Sequence, residues 1–505
     1  MDLGTVMRWA AERFPERAAV RGHGRHLSYR EWDARTERLA RALAAEGVRP
    51  GDRVAFALTG GEPLASLHLA AQKLGAVSVP LSTRFSPDEL RYCVDDSAAR
   101  LLVADEANAE RASAAAGEVA LREVAAIDAR AEREPDHALD AHPAETDVSV
   151  MLYTSGTTGR PKGVPRTHRA EHSAAVAHAV QTQQRAGEVV LGVMPMFHTM
   201  GLRTLLTSIV VGGTWVGQPA FDAAESIELV TSENVSSLYL VPTIFWSLLR
   251  TGRLSEARAL DRLAYAGAAM TPALAEQLVA EVAPSAFVNH FGSTEIYTFT
   301  IGPDVAAKPG SAGRAGVFSR VRLVAPERGT PPDALVAPGE QGQVIASMAS
   351  PEAFGGYWNR PDANEKSIRD GWYYTGDLAV ADEDGDLWVS GRVDDMINSG
   401  GENIYPDEIE AALVRCPAVD DVCVVGLADD RWGQAVTAFV VPARDTEPVA
   451  AAEKAMAYAR DVLPSLKRPK RVIAVDAIPR SGVGKTLRRT LVAGEFDPLG
   501  ESARG

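Results

Sequence analysis

Apolar residues alternate between two patterns along the first half of the chain. Residues 54–58 (Val-Ala-Phe-Ala-Leu) and 76–81 (Ala-Val-Ser-Val-Pro-Leu) are short, nearly continuous apolar runs, the signature of strands covered on both faces. Between them, residues 64–74 read as a helix. Ser28 precedes a stripe of Leu39, Leu43 and Ala44, and Ser86 precedes Leu90 and Tyr92, so both serines are expected to cap helices. This strand–helix–strand rhythm predicts a parallel α/β sheet. A further strand is read at 148–153; strands at 189–194, 210–216 (with its turn), 237–243 and 263–268 predict a second αβ subdomain, whereas 105–145 has little apolar period and reads as peripheral helices and loop. The rhythm changes near Asp394. Beyond it come a helix (407–414), strands (422–425 and 435–441), a helix (449–463) and a strand (471–475). The expected division is therefore a large α/β domain over 1–393 and a smaller α+β domain over 394–505, with the hinge near Asp394.

Composition narrows the classes. The 505 residues carry 52 basic and 67 acidic side chains, a net charge of −15, which argues against a nucleic-acid surface. No apolar run approaches about 18 residues, so no membrane span is expected. Met1-Asp2-Leu3-Gly4 lacks the basic start of a signal peptide. Cys93, Cys416 and Cys423 form neither a CxxC pair nor a disulfide framework, and a reducing cytoplasm is the simplest location.

Chemistry concentrates in a few strings. The strand at 148–153 runs into Tyr153-Thr154-Ser155-Gly156-Thr157-Thr158-Gly159-Arg160-Pro161-Lys162-Gly163-Val164. Glycines let backbone N–H groups approach an anion, and hydroxyls and lysine add donors and charge, so the string reads as a phosphate-gripping loop. G-x-x-x-x-G-K-[ST] cannot be laid on it, nor on Gly484-Lys485-Thr486, because Pro479 stands where the first glycine should be. Just downstream, His168-Arg169-Ala170-Glu171-His172 matches an inverted zinc-protease pattern, but the phosphate loop beside it accounts for the region better. His198 follows a strand end and an aromatic residue and precedes Gly201, a pocket-rim setting. Phe287-Val288-Asn289-His290-Phe291-Gly292-Ser293-Thr294-Glu295 delivers an aromatic, a glycine and an acid suited to Mg²⁺. Asp377 lies on a tight turn and suits ribose hydroxyls; Pro479 to Arg489 is a glycine-rich loop presenting Lys485.

Five such motifs in fixed order over roughly 25–490 resemble the adenylate-forming superfamily, and within it the aryl- and bulky-acyl-CoA ligases of the 4-chlorobenzoate-CoA ligase group. The resemblance is close across Arg392 to Tyr405, Leu427 to Gln434 and Lys467 to Arg471. It implies a large AMP-binding domain of αβαβα-type subdomains with a distorted β-barrel, and a mobile carboxy-terminal domain that rotates between two half-reactions. A carboxylate first attacks the ATP α-phosphate to give acyl-AMP; coenzyme A thiol then displaces AMP. By resemblance, Thr154, Ser155, Gly156, Thr157, Thr158, Gly159 and Lys162 bind phosphates, and Glu295 binds Mg²⁺. Asn289, His290, Phe291, Gly292, Ser293 and Thr294 flank adenine, although the family more often has Tyr at 291. Asp377, Val389 and Arg392 complete the nucleotide site, Asp394 is the hinge, and Lys485 bridges carboxylate and α-phosphate. A cation between two anions offsets their repulsion by roughly 4 kcal/mol at about 4 Å and an effective dielectric near 20.

For the second step the resemblance implies a pantetheine passage walled by Gly400 and Gly401 with Glu402 beside it, Trp432 against the coenzyme A adenine, and Arg84, Arg468 and Lys470 on its phosphates. Leu466 stands where the nearest relatives have an aromatic residue. The acyl pocket is assigned to His198, Gly201, Phe245, Ala266, Gly267, Ala268, Gly292 and Tyr297, which suits a bulky hydrophobic or aromatic acid. The sequence leaves two alternatives open: an enzyme performing only one half-reaction, and a free-standing adenylation enzyme loading a carrier protein. A monomer or a homodimer is expected, in aromatic-acid or secondary metabolism.

Overall fold

The computed structural model describes residues 1–154, 160–327, 329–399, 402–429, 431–480 and 486–502. The expectations for Ser155 to Gly159, Gly400, Gly401 and Lys485 lie outside them, as does the side chain of Glu402. Backbone contacts divide the chain into two compact units, one of 1–321 with 346–373, the other of 322–345 with 374–505.

The first unit is built on two sheets. One has nine strands, in the order Arg314–Ala315, Thr300–Gly302, Ala286–Phe291, Arg262–Tyr265, Ser237–Leu240, Val189–Gly192, Thr214–Gly217, Ala18–Gly22, Arg25–Ser28. The other has six, in the order Ala120–Glu123, Leu101–Ala104, Arg53–Ala57, Val77–Pro80, Val148–Thr154, Lys162–Thr167. Their central strands run parallel, as the continuous apolar runs predict. The region 105–145 contributes more than periphery: Ala120–Glu123 forms a sheet edge.

Both helix starts behave as expected. The Ser28 hydroxyl accepts from Glu31 N while the Glu31 carboxylate accepts from Ser28 N, and Ser86 and Glu89 do the same. Trp32 and Trp215 anchor the core with no exposed or nearly no exposed surface. A side chain at Gly192 would overlap the Trp215 ring, its Cβ falling 2.0 Å from the nearest ring atom, so the strand needs glycine there.

In the second unit, Asp377 to Ala381 pairs antiparallel with Leu387–Arg392, placing Asp377 opposite Arg392. The rest contains a six-stranded sheet centred on the pair Val419–Asp429 and Gly433–Pro442, with helices Pro406–Leu413 and Pro448–Val462. Helix and strand order beyond Asp394 follows the sequence reading. No helix among the described residues is long and apolar enough to cross a membrane.

Candidate active site

The stem of the phosphate loop is a tight antiparallel hairpin in the first unit. Val148–Thr154 pairs with Lys162–Thr167, Thr154 facing Lys162. Trp358 braces this stem: its backbone N donates to Gly163 O at 2.9 Å and its indole Nε1 to Asp96 O at 2.8 Å. Tyr153 OH donates to Asp96 at 2.7 Å from the other side.

Lys162 and Glu295, assigned from separate motifs, converge on one residue. Lys162 Nζ lies 4.1 Å from the centre of the Tyr357 ring, and Tyr357 OH donates to Glu295 Oε1 at 2.7 Å. Burial, and then the Glu295 charge, push the Tyr357 phenol pKa up, so it stays a donor. With one carboxylate oxygen so held, the other can serve a cation as a hard oxygen ligand.

The Glu295 loop is set by its own turn and by a buried arginine. Ser293 Oγ accepts from Glu295 N at 3.2 Å and Ile296 N at 3.3 Å. Arg166 Nη1 donates to the carbonyl of Thr294 at 2.7 Å. Glu171 pairs with both Arg166 and Arg203, and all three side chains are inaccessible to solvent. This accounts for the zinc-like string: Glu171 is engaged by two guanidiniums, and His168 Nδ1 accepts from Leu3 N at 3.2 Å.

Of the other nucleotide residues, Asn289 is buried and its amide donates to Ser311 O at 2.7 Å. Phe291 is partly exposed, its ring set edge-on against Phe299. His290 is fully enclosed and contacts Tyr239 and Thr298. In the second unit Asp377 and Arg392 form an ion pair, with Arg392 Nη2 donating to Thr375 O at 3.2 Å. Gly376 has φ +78°, and a Cβ there would sit 2.8 Å from Arg392 Nη2, so glycine both allows the turn and admits the guanidinium. Val389 is exposed on the paired strand, and Asp394 is exposed on the short turn Val393–Asp395.

Among the residues expected to meet coenzyme A, Trp432 and Lys470 are brought together, Lys470 Nζ lying 4.9 Å from the ring centre, with Arg431 at 4.9 Å as well. Arg468 Nε donates to Leu463 O at 2.9 Å. Arg84, in the first unit, is exposed.

The residues expected to line the acyl pocket divide into two groups. His198, Gly267 and Ala268 have accessible surface, and Ala266 is buried directly after the strand Arg262–Tyr265. His198 is partly accessible yet crowded closely enough that burial lowers its pKa to about 4, so it is neutral. Gly201 passes 2.4 Å, measured from its would-be Cβ, from Pro195 O. Phe245 and Tyr297 are instead enclosed. Phe245 packs edge-on against Phe287, and Tyr297 OH joins a hydrogen-bonded cluster with His178 and Tyr239.

Sequence reasoning missed Tyr357, Trp358, Arg166 and Arg203. The run Gly355-Gly356-Tyr357-Trp358 was the available signal for the first two. For Arg203 there was none, since its partner Glu171 is 32 residues away; Arg166 lies only five residues before Glu171, but nothing in the string announces that pairing.

The class of protein is given by comparison with known families. Residues 7–358 match the family described as AMP-binding enzyme, and 408–485 match AMP-binding enzyme C-terminal domain. The chain is 37% identical to a feruloyl-CoA synthase from Amycolatopsis sp over 94% of its own length and 95% of the relative's. It is 33% identical to a 4-chlorobenzoate–CoA ligase from Arthrobacter sp, covering 96% and 94%. ATP-bound MatB from Rhodopseudomonas palustris superimposes with a TM-score of 0.89 at 27% identity, covering 98% of this chain and 99% of that one. The Bacillus subtilis o-succinylbenzoate CoA synthetase, solved with its acyl-adenylate intermediate, gives 0.85 at 28%, covering 96% and 97%. The chain belongs to the AMP-binding enzyme family, the adenylate-forming superfamily, and is an AMP-forming acid–thiol ligase that couples a carboxylic acid, ATP and coenzyme A.

Proposed function

We propose that this ligase activates a bulky hydrophobic or aromatic carboxylic acid as acyl-AMP and transfers the acyl group to coenzyme A, retaining both half-reactions. The observation that carries this reading is the meeting of Lys162 and Glu295 at Tyr357, which joins the phosphate-loop stem to the acid of a second motif. Glu295 holds Mg²⁺, which when bound neutralises phosphate charge; Tyr357 orients that carboxylate. Asp377 takes the ribose hydroxyls with its Arg392 partner fixing the carboxylate. Lys485 serves adenylation alone, Asp394 is the hinge between the two steps, and Gly400 and Gly401 admit pantetheine. The pairing of Lys470 with Trp432 favours coenzyme A over a carrier protein, since a cation beside an aromatic face suits a phosphoadenosine group. The protein acts as a monomer or homodimer in the cytoplasm.

The test is mass spectrometry of products from a panel of carboxylic acids with ATP, Mg²⁺ and coenzyme A, beside the Lys485→Ala variant. Acyl-CoA should form from aromatic or bulky acids. Lys485→Ala should lose acyl-AMP formation by about 10²-fold or more, yet convert supplied acyl-AMP to thioester. Equal loss of both steps refutes the separation of roles.

A further inference from the structure

In the second unit the chain is tied down on both sides of the segment that ends in Lys485. Arg480 pairs with Thr486 as an antiparallel bridge, and Leu487 N donates to Pro479 O at 2.8 Å, so these four residues form the root of that loop. Apolar contacts seat the root. Ile478, just before it, and Leu491, just after it, share one buried cluster with Cys423, Val425, Phe439 and Ile473. Two arginines then hold its sides. Arg480 Nη2 donates to Asp421 at 2.6 Å, and Arg488 Nε reaches Val424 O at 3.4 Å. Asp421 and Val424 belong to the same strand, Val419–Asp429. The Arg480 pair is open to solvent and holds weakly, which leaves Arg488 as the firmer anchor.

Arg488 also reaches beyond the strand. Its Nη2 donates to Glu410 Oε2 at 2.7 Å and to Asp407 Oδ1 at 3.1 Å, and its Nη1 to Asp395 Oδ2 at 3.4 Å. Asp395 lies in the turn Val393–Asp395, directly after Asp394. Asp407 crowds the entry to the same turn: at Gly391, where φ is +138°, a Cβ would fall 2.3 Å from Asp407 Oδ2. One guanidinium therefore joins the root of the Lys485 loop to the turn that carries Asp394.

Stability is a poor account of this arrangement. Three carboxylates share one cation, and burial lifts the Glu410 carboxyl to about 7 in spite of it. Ionic sets of this kind add little net stability over apolar packing. What a planar guanidinium adds is direction, since its fork meets its partners in one orientation. The apolar seat under Ile478 and Leu491 is non-directional and does not fix the angle of the root.

We propose that Arg488 is a positioning residue for acyl-AMP formation: it locks the root of the Lys485 loop to the turn carrying Asp394, so that loop and turn move as one piece and the lysine is delivered to one place. The inference rests on the assignment of Lys485 to adenylation and of Asp394 to the hinge. A cation bridging two anions acts only where it is placed, and a displacement of about 1 Å can cost about 10²-fold in rate.

The test separates the half-reactions in the full chain. Acyl-AMP formation is followed by pyrophosphate exchange with an acid that the panel shows to be turned over. Thioester formation is followed from the corresponding supplied acyl-AMP and coenzyme A. Arg488→Met should lower kcat for acyl-AMP formation by about tenfold or more, with KM for ATP and for the acid within about twofold, and leave thioester formation within about twofold. Arg488→Lys keeps the charge but not the fork and should fall between Arg488→Met and wild type. Asp395→Asn cuts only the arm to the turn and should show the same split at about threefold. Should Arg488→Met fail to fold, Arg488→Lys and Asp395→Asn read the same split. Lys485→Ala is run beside them. If it shows the split while the Arg488 and Asp395 variants slow both steps equally, or neither, the inference is overturned and the role of Lys485 stands. If Lys485→Ala itself slows both steps alike, the role of Lys485 falls and the inference with it.

Discussion

Each unit of the protein contains an arginine–carboxylate cluster, and the two are built with opposite stoichiometry. In the first unit one carboxylate, Glu171, lies between two guanidiniums, Arg166 and Arg203, with no solvent access to any of them. In the second, one guanidinium, Arg488, faces three carboxylates: Glu410 at 2.7 Å, Asp407 at 3.1 Å and Asp395 at 3.4 Å. Burial pushes the Glu171 carboxyl pKa up, but the two guanidiniums more than reverse that and hold it below the ordinary value. For Glu410 burial again raises the pKa and Arg488 opposes it, but one arginine shared three ways does not prevail, and the value stands at about 7. Arg488 is itself raised by the same carboxylates, so the pair pulls in two directions; the charge excess favours a proton on Glu410. The same residue types therefore give opposite pH responses. A lowered carboxylate stabilises above its unfolded pKa and loses this as pH falls through the folded one. A raised carboxylate stabilises below its unfolded pKa and loses this as pH rises through the folded one.

The most severe way to break this contrast is Glu171→Gln. It leaves two buried guanidiniums facing each other and loosens Arg166, which holds the Thr294 carbonyl beside Glu295. Removing one member of a buried charge set typically costs about 3–5 kcal/mol, a large share of a domain's stability. Denaturant unfolding of the first unit, followed by hydrogen exchange in peptides around 164–180, should show that loss. A change below about 1 kcal/mol would mean the cluster is not dry and the comparison fails.

That cluster also marks the limit of what the amino-acid order reveals. Strand positions, the caps at Ser28 and Ser86 and the helix–strand succession beyond Asp394 were legible because each depends on neighbours in sequence, such as Ser28 with Glu31. The site was legible where a motif is continuous, as in the approach of Thr154 to Lys162. Tyr357 escaped because its two partners, Lys162 and Glu295, come from remote segments. Glu171 was visible only as part of a false metal pattern, since nothing near it in sequence announces Arg203. Tyr297 was expected to line the acyl pocket; it is instead enclosed among His178, Tyr239 and His290.

A smaller effect separates the second cluster from the first. Arg488→Met removes the guanidinium that pairs with three carboxylates, so its cost should depend on pH. At about pH 8 Glu410 is ionised, and the loss should be about 1–2 kcal/mol, discounted for the partial exposure of the group. At about pH 5 Glu410 holds its proton and much of that loss should disappear. Hydrogen exchange in Val419–Asp429 is the appropriate readout, because Val424 N donates to Glu410 Oε1 at 2.6 Å and Arg488 Nε reaches Val424 O at 3.4 Å. A loss equal at both pH values would show that Arg488 acts by packing alone.

The finest distinction is Glu410→Gln, which removes a titrating group without removing the arginine. A pKa displaced from 4.5 to about 7 means the folded state binds the proton more tightly than the unfolded state. In the wild type this contribution is complete below 4.5 and vanishes as pH rises through about 7. Its ceiling is about 3 kcal/mol by linkage, and the 19% exposure of the Glu410 side chain together with the flexible guanidinium should reduce it to about 1 kcal/mol. Glu410→Gln should therefore match or slightly exceed wild-type stability at about pH 8 and show a flatter dependence between about pH 5 and 7.5. Glu171→Gln, by contrast, should be destabilised over that whole range. A steeper slope in Glu410→Gln than in wild type would reverse the sign assigned to this carboxylate and make the two clusters alike.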